Sequence, residues 1–177
     1  MLDALDASDH AKDTLVVLWS DHGWHLGEKQ HWAKRSLWGE STRVPLILAG
    51  PGLAKGNCTR PVGLIDLYPT LSELCGLGSP PQKLEGHSLV PLLRRPSAPW
   101  PHPALTTFHR NDHTIRTERW RYIRYANGDE ELYDCAADPH EWANIAAKPE
   151  HRETVAKLRR QLPKVNAAAA PERPPAR

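Results

Sequence analysis

The chain has 177 residues, 40% of them hydrophobic, and a formal net charge of +2, which is compatible with a globular domain that has its own core. This near balance of charge does not by itself point to a nucleic-acid or membrane partner. The three cysteines, Cys58, Cys75 and Cys135, contain no closely spaced pair, which argues against a zinc ribbon or a thioredoxin-like site.

The first predicted elements are the end of a helix and two apolar strands. Residues 2–7 have the apolar spacing of an amphipathic helix and lack the features of a signal peptide. Residues 14–19 and 44–50 are short apolar runs, which predict buried strands. Residues 20–43 form a long polar segment without a clear period, and such loops tend to be functional. A chain that starts in the last turns of a helix is expected to begin in the middle of a fold.

The next part of the chain contains one helix and a long connection. Residues 64–76 have helical apolar spacing, with Asp66 or Leu67 as the expected cap and Gly76 as the stop. Residues 78–103 are rich in proline and glycine and predict an extended segment with one short apolar contact at 87–93.

From residue 104 the sequence alternates between apolar and polar residues, which predicts an antiparallel meander with one solvent-exposed face. A hairpin turn is expected at residues 127–129. Residues 149–162 predict an amphipathic helix, and the Ala/Pro/Arg-rich residues 163–177 predict a disordered tail. The strands are expected at 104–109, 113–117, 120–125 and 131–134.

Residues with metal-ligand chemistry follow the first predicted strand. Asp21, His22 and Gly23 come directly after it, and carboxylate and neutral imidazole both bind metals. Because adjacent strand residues point to opposite sides, both can reach one metal only where the strand has ended and the chain turns, and Gly23 is suited to such a turn. The dipeptide alone is better explained by an Asp–His pair that merely caps the next element. Lys34, on the same loop, suits an oxyanion, although a solvated surface lysine is the commoner role.

Several motifs in one order resemble the central-to-C-terminal part of type I sulfatases, within the alkaline-phosphatase-like superfamily and closest to its iduronate-2-sulfatase-like group. The segment Ser20 to Glu28, with His31-Trp32-Ala33-Lys34 after it, carries the resemblance first. It extends over about residues 1–162. The further matching segments are 42–47, 64–71, 84–89, 119–125 and 131–141.

The resemblance implies a partial alkaline-phosphatase-like α/β sulfatase fold with a small C-terminal antiparallel sheet and a terminal helix. The expected division is residues 1–103 as the C-terminal part of the α/β domain and 104–162 as a small antiparallel subdomain, with 163–177 as the tail.

The resemblance also assigns roles to residues of the polar loop. Asp21 matches a carboxylate ligand of a divalent cation, and His22 occupies the next position of the metal motif. Ca²⁺ is the expected cation, with Mg²⁺ or another divalent metal as the alternative. Lys34 matches the lysine that contacts the substrate sulfate.

Four histidines are weaker candidates for the sulfate site. Any of them could protonate a leaving oxygen or touch the sulfate, and a surface or structural role is the alternative for each. They are His25, His31, His109 and His113. Arg116 and Arg124 could bind acidic sugar groups, but a solvated strand face explains them as well.

The catalytic nucleophile of the family has no counterpart in this sequence. Sulfatases form it as a formylglycine within a Cys/Ser-x-Pro/Ala-x-Arg motif, and none of the three cysteines lies in one. We therefore expect a C-terminal portion of a sulfatase that hydrolyses sulfate esters, including sulfated glycans, and that is inactive alone. The alternatives are a non-catalytic remnant or binding module, and a phosphoesterase or phosphonate hydrolase of the same superfamily. The expected partner is a sulfate-ester small molecule or glycan, and nothing in the sequence indicates the compartment.

Overall fold

The computed structural model describes residues 1–78 and 80–168, which form two antiparallel sheets. The first sheet pairs β1 (Val16–Trp19) with β2 (Leu46–Ala49). The second is a meander in the order β3-β4-β5-β6, which confirms the predicted topology. Its strands are β3 (Ala104–Thr107), β4 (His113–Arg116), β5 (Trp120–Arg124) and β6 (Glu130–Asp134).

Five α-helices are present in the described part of the chain. They are α1 (Leu2–Asp6), α2 (Gly39–Thr42), α3 (Leu67–Leu74), α4 (Val90–Arg94) and α5 (Arg152–Arg159). Short 3₁₀ turns at Leu64–Asp66 and Pro149–His151 lead into α3 and α5, so both predicted helices are confirmed. Across residues 1–78 and 80–168, every helix is too short or too polar to span a bilayer.

The first sheet is less buried than the sequence predicts. Leu18 and Ile47 are cross-strand partners, and their exposed fractions are 52% and 56%. The expectation of fully buried strands is therefore wrong for the described residues, because neither a third strand nor a helix covers this face of the sheet. The opposite face is partly covered, since Leu46 packs against the cluster around Leu89.

The core of the C-terminal sheet lies between the strands and α5. Val155 and Leu158 on α5 pack against Ile115, Tyr122 and Leu132 on three neighbouring strands. All five side chains are buried, and each contributes about 1.5–3 kcal/mol relative to exposure. The apolar residues spaced along α5 and those that alternate along the strands thus pack together in one apolar layer.

The other face of this sheet is also covered, which corrects the prediction of a solvent-exposed face. Thr114, Arg121 and Ile123 are at most 4% exposed. Leu37, from the loop between β1 and β2, packs against Ile123 and accepts a hydrogen bond from Arg121. The alternating pattern cannot show this, because the covering residues lie far away in the sequence.

The proline-rich connection is fixed to α3 by a buried carboxylate. Asp66 accepts hydrogen bonds from the backbone N–H groups of Gly63 at 2.9 Å and His87 at 2.8 Å. Thr70 accepts another from the N–H of Leu89 at 2.8 Å. A Cβ at Gly86 would lie 2.2 Å from the carbonyl oxygen of Ile65, so only glycine fits there.

The remaining sequence predictions are partly confirmed. The segment expected to be extended over 78–103 contains α4 at Val90–Arg94, because Pro91 is tolerated in the first turn of a helix. Its apolar contact is confirmed by the burial of Leu89 and Leu92. The predicted turn at 127–129 is confirmed, with Gly128 in the left-handed region. Of the expected tail, residues 169–177 lie outside the described residues.

Candidate functional site

The polar loop after β1 folds back on itself and brings its two ends together. The N–H of His25 donates to the carbonyl of Ala33 at 3.0 Å, and the N–H of Gly27 donates to that of His31 at 3.1 Å. These bonds pair the two arms of the loop. As a result His22, just before the first arm, and Lys34, just after the second, lie side by side.

Asp21, His22 and Lys34 form one cluster at the end of β1. Lys34 Nζ lies 2.8 Å from His22 Nε2, and Asp21 Oδ2 lies 3.5 Å from the same nitrogen. His22 Nδ1 lies 2.8 Å from the carbonyl oxygen of Gly23, so this nitrogen carries the proton and donates. Nε2 therefore presents its lone pair to Lys34, and a metal-binding imidazole presents the same atom when its other nitrogen is held in this way.

Gly23 is required for space rather than for a special turn. Its φ is not positive, so it does not adopt the left-handed conformation that favours glycine in tight turns. A Cβ at this position would lie 2.0 Å from the carbonyl oxygen of Glu40. The Gly23 N–H also donates to the carbonyl of Ser41 at 2.9 Å. The glycine thus lets the loop lie directly against α2.

The donor set of the cluster fits only part of a cation site. Asp21 is 82% exposed at its side chain, and it offers hard oxygen donors beside Nε2 of His22, which Lys34 contacts. Within residues 1–78 and 80–168, no three His, Cys, Asp or Glu side chains lie close enough to hold a metal together. Because Ca²⁺ takes six to eight oxygen ligands, Asp21 and His22 could supply only a fraction of such a shell.

His25 and His31 lie in an aromatic cluster below the loop. The His25 ring is fully buried, its Nε2 lies 2.9 Å from Ser36 Oγ and its Nδ1 lies 3.3 Å from the carbonyl oxygen of Glu28. Its centroid lies 5.0 Å from that of His31 and 5.8 Å from that of Trp38. Burial lowers the pKa of His25, and the neighbouring His31 lowers it further. These contacts suit a neutral, structural ring.

His109 and His113 lie away from the cluster at β1. His113 is buried on β4, with Nδ1 2.8 Å from Thr107 Oγ1. It is on the same face of the strand as Ile115, which packs against α5. The polar loop covers the opposite face. His109 is exposed in the turn after β3, beside the ring of Phe108.

The two candidate arginines lie on the C-terminal sheet. Arg124 forms an ion pair with Glu130 at 2.9 Å. Burial lowers the pKa of Arg116, which is half-buried on β4.

A buried ion pair, not expected from the sequence, anchors the loop to the C-terminal sheet. Arg121 and Glu141 form a salt bridge in which both side chains are 5% exposed. Glu141 also accepts a hydrogen bond from the N–H of Gly39 at 2.9 Å, and Arg121 donates to the carbonyl of Leu37 at 3.4 Å. The only sequence signal for this pair is the Asp-Pro-His-Glu motif, which gives no indication of its partner.

A second anchor joins the loop to β6 through Glu131. Its Oε2 accepts from the indole N–H of Trp38 at 2.6 Å and from the hydroxyl of Tyr133 at 2.5 Å. Burial, followed by the hydrogen bond to Glu131, raises the pKa of Tyr133. Lys29 lies over both rings, with Nζ 4.9 Å from the Trp38 centroid and 4.6 Å from that of Tyr133.

Comparison with known proteins decides the family. Residues 27–168 match the family described as N-sulphoglucosamine sulphohydrolase, C-terminal. The chain belongs to this sulfatase family. A sulfatase from Formosa agariphila is 44% identical over 168 residues, covering 94% of this chain and 33% of that protein. Human arylsulfatase K is 34% identical over 164 residues, covering 82% of this chain and 30% of that protein. The chain spans about a third of the length of these curated relatives.

Solved structures confirm that the chain has the C-terminal portion of the alkaline-phosphatase-like sulfatase fold. A 2-O GAG sulfatase has a TM-score of 0.74 and 31% identity, covering 90% of this chain and 37% of that one. A protein in complex with its substrate D-glucosamine-2-N,6-O-disulfate has a TM-score of 0.76 and 28% identity, covering 90% and 35%. A phosphonate monoester hydrolase of Agrobacterium radiobacter has a TM-score of 0.76 and 26% identity, covering 90% and 36%.

Proposed function

We propose that this chain supplies one wall of a sulfatase active site, in which a sulfate ester, including sulfated glycans, is hydrolysed. Lys34 contacts the sulfate, and Asp21 and His22 contribute to a divalent cation site. The observation that carries the proposal is the convergence of these three side chains at the end of β1, where Lys34 Nζ and Asp21 Oδ2 both lie within 3.5 Å of His22 Nε2. Asp21 and His22 have the chemistry of metal ligands, and Lys34 has that of an oxyanion contact.

The charges of the cluster suit the reaction. The Lys34 ammonium is a compact cation with three donors, and it can donate to sulfate oxygens as negative charge builds on the leaving oxygen. A bound Ca²⁺ would add Lewis-acid stabilisation of the same charge. Asp21 would bind that cation through its carboxylate, and His22 would bind it through Nε2 in place of the present contact with Lys34.

A chimera tests the catalytic part of this proposal. The chain replaces the corresponding C-terminal third of the Formosa agariphila sulfatase, to which it is 44% identical, and turnover of an aryl sulfate is measured with Ca²⁺. Lys34→Ala is expected to lower kcat/KM by about 100-fold, in the range found for removing one charge-stabilising donor. Lys148→Ala, at an exposed position away from the loop, is the matched control. Full activity of the Lys34→Ala chimera would contradict the assignment.

The isolated chain provides a second, independent measurement. Inorganic sulfate titrated into it is expected to shift the NMR resonances of the His22 ring, because this ring lies 2.8 Å from Lys34 Nζ. Lys34→Ala should remove the shift while leaving the rest of the spectrum in place. The chain alone is expected to give no turnover, since it carries no formylglycine motif.

For the subgroup and the substrate, the proposal follows the sequence resemblance. The motifs at 20–34 and 131–141 resemble those of the iduronate-2-sulfatase-like group, which supports that group as the proposed one. The complex of a structural relative with a disulfated glucosamine supports sulfated sugars as the substrate class. Rates of the chimera on a sulfated glucosamine and on an aryl sulfate would test the preference.

Phosphonate ester hydrolysis is a second candidate. It is favoured by one observation: the phosphonate monoester hydrolase of Agrobacterium radiobacter matches the fold with a TM-score of 0.76, the same value as the disulfate-bound protein. A chimera made with that hydrolase, tested on matched sulfate and phosphonate esters, separates the candidates. A sulfate preference conferred by this chain would support the first, and its loss in Lys34→Ala would assign the preference to the loop.

A further inference from the structure

We infer that a cavity between the proline-rich connection and the C-terminal sheet is a glycan-binding site that takes one or two sugar units carrying an anionic group. The cavity has a volume of about 400 Å³, which is within the range of small-molecule sites. This inference does not depend on the proposed function, since it requires binding and no hydrolysis.

The cavity is separate from the cluster at β1. It lies against the side of the C-terminal sheet that carries α5, since Trp120 and Leu158 line it and both belong to the core between the sheet and that helix. The loop with His22 and Lys34 packs against the opposite face, through the contact of Leu37 with Ile123. No residue of the range 20–43 lines the cavity.

Aromatic, proline and polar side chains line the cavity together. Trp100, Pro103 and Trp120 contribute rings, one face of the Trp120 ring being covered by Arg119, and such rings suit the apolar C–H faces of a pyranose. Thr154, Lys157 and Gln161 line it from α5 and the turn after it and offer hydrogen-bond partners for sugar hydroxyls. Rings beside hydroxyl, amide and ammonium groups are the combination that a sugar, with its apolar C–H faces and its hydroxyls, can use.

Fixed ion pairs shape the rim and leave one cation without a carboxylate. Arg119 donates to Asp134 at 2.9 and 2.6 Å and lies 4.6 Å from the centroid of Trp120. Glu118 is paired with Arg60. Lys157 lines the same cavity, and no carboxylate within residues 1–78 and 80–168 forms a salt bridge with it. The charge that remains unpaired is therefore positive, which favours a sulfated or carboxylated sugar over a neutral one.

The test is a binding titration of the full chain with N-acetylglucosamine 6-sulfate and with N-acetylglucosamine, followed by tryptophan fluorescence and NMR. The sulfated sugar is expected to bind more tightly and to shift resonances of Trp100 and Trp120. Lys157→Gln should weaken its binding about threefold, as for an exposed ion pair. Lys148→Gln, also exposed, is the matched control and should have no effect.

Two further variants keep the inference falsifiable. Gln161 is exposed at the rim, so Gln161→Trp should fill the cavity and abolish binding without unfolding the chain, whereas Gln82→Trp at another exposed position should not. Full binding in Gln161→Trp, with the resonances of Trp100 and Trp120 still shifted, would place the sugar elsewhere on the chain and overturn the inference. Equal affinity for the two sugars, or no affinity for either, would also overturn it.

Discussion

Lys34 Nζ and His22 Nε2 lie 2.8 Å apart, so the ammonium occupies the lone pair that a cation bound to His22 would use. The pairing follows from the backbone bonds between the two arms of the loop. It places the residue proposed to hold sulfate directly against one proposed to hold metal, so binding at the two positions should be coupled.

This contact predicts that Lys34→Met raises the affinity of His22 for Zn²⁺. The metal no longer has to break the ammonium hydrogen bond, which in an exposed pair is worth about 1 kcal/mol, or about a fivefold change in affinity. An NMR titration with Zn²⁺ that follows the His22 ring resonances measures the effect. Lys148→Met should leave the His22 affinity as it is. An unchanged His22 affinity in Lys34→Met would show that the contact does not limit metal access.

The buried ion pair predicts a large loss of stability on losing one partner. Arg121→Met leaves the carboxylate of Glu141 buried without its guanidinium, and we expect the free energy of unfolding to fall by about 3–5 kcal/mol. Arg119→Met is the control, because Arg119 is 63% exposed in its pair with Asp134, and should cost less than about 1 kcal/mol. Urea unfolding measures both. Equal losses in the two variants would argue that the Arg121 pair is not an anchor.

Gly23→Ala is predicted to be destabilising by about 1–3 kcal/mol, the usual cost of overpacking. The added methyl would lie 2.0 Å from the Glu40 carbonyl oxygen, so the loop must move away from α2. Gly63→Ala is the matched control, since the nearest atom to its Cβ, on Ile65, lies at 3.4 Å. Thermal melts of the two variants give the comparison, and NMR shifts of His22 and Lys34 should change only in the first. Equal melting temperatures would contradict the steric role.

The uncovered face of the first sheet predicts self-association. Leu18 and Ile47 are about half exposed, on paired strands whose edges are free, and such edges promote aggregation. Ile47→Lys should raise solubility and reduce binding of the dye ANS without lowering the melting temperature. Leu77→Lys serves as the control, because Leu77 is 73% exposed outside any strand. Monomeric behaviour of the wild-type chain at high concentration would rule the prediction out.

His25 predicts a loss of stability at mildly acidic pH. Burial lowers its pKa below the usual value of 6.5, so the unfolded chain binds a proton more readily than the folded one. Its contribution to the free energy of unfolding is therefore complete above about pH 6.5 and falls as the pH drops through that value. Melting temperatures at about pH 7.5 and 5.5 should differ less in His25→Gln than in the wild type. A His25 ring that titrates at or above pH 6.5 by NMR would contradict this.

The sequence was sufficient for elements whose signal is local. The spacing of Val155 and Leu158 predicts α5, and the alternation after residue 104 predicts the meander, because each pattern depends on neighbours a few positions away. The grouping of Asp21, His22 and Lys34 was expected from their resemblance to one motif. Their roles in metal and sulfate binding stay predictions.

What the sequence could not show depends on distant contacts. The burial of Arg121 requires Leu37 and Glu141, which lie 84 and 20 positions away from it. The exposure of Leu18 and Ile47 depends on which elements cover their sheet. A strand has the same apolar sequence whether or not its sheet is covered, so the sequence cannot reveal this. An arginine in an alternating strand predicts a solvent-exposed face, and only knowledge of the residue that pairs with the arginine can show that the face is buried.

The contact of Gly23 with α2 has a consequence for tracing the descent of this family. Asp21, His22 and Lys34 can be replaced in a lineage that no longer performs the chemistry, because their side chains are largely or partly open to solvent. Gly23 cannot change unless residues 40–43 also move, whatever the protein has come to do. A glycine at this point, followed by a short helix, should therefore be retained longer than the proposed ligands beside it and mark inactive descendants as well as active ones.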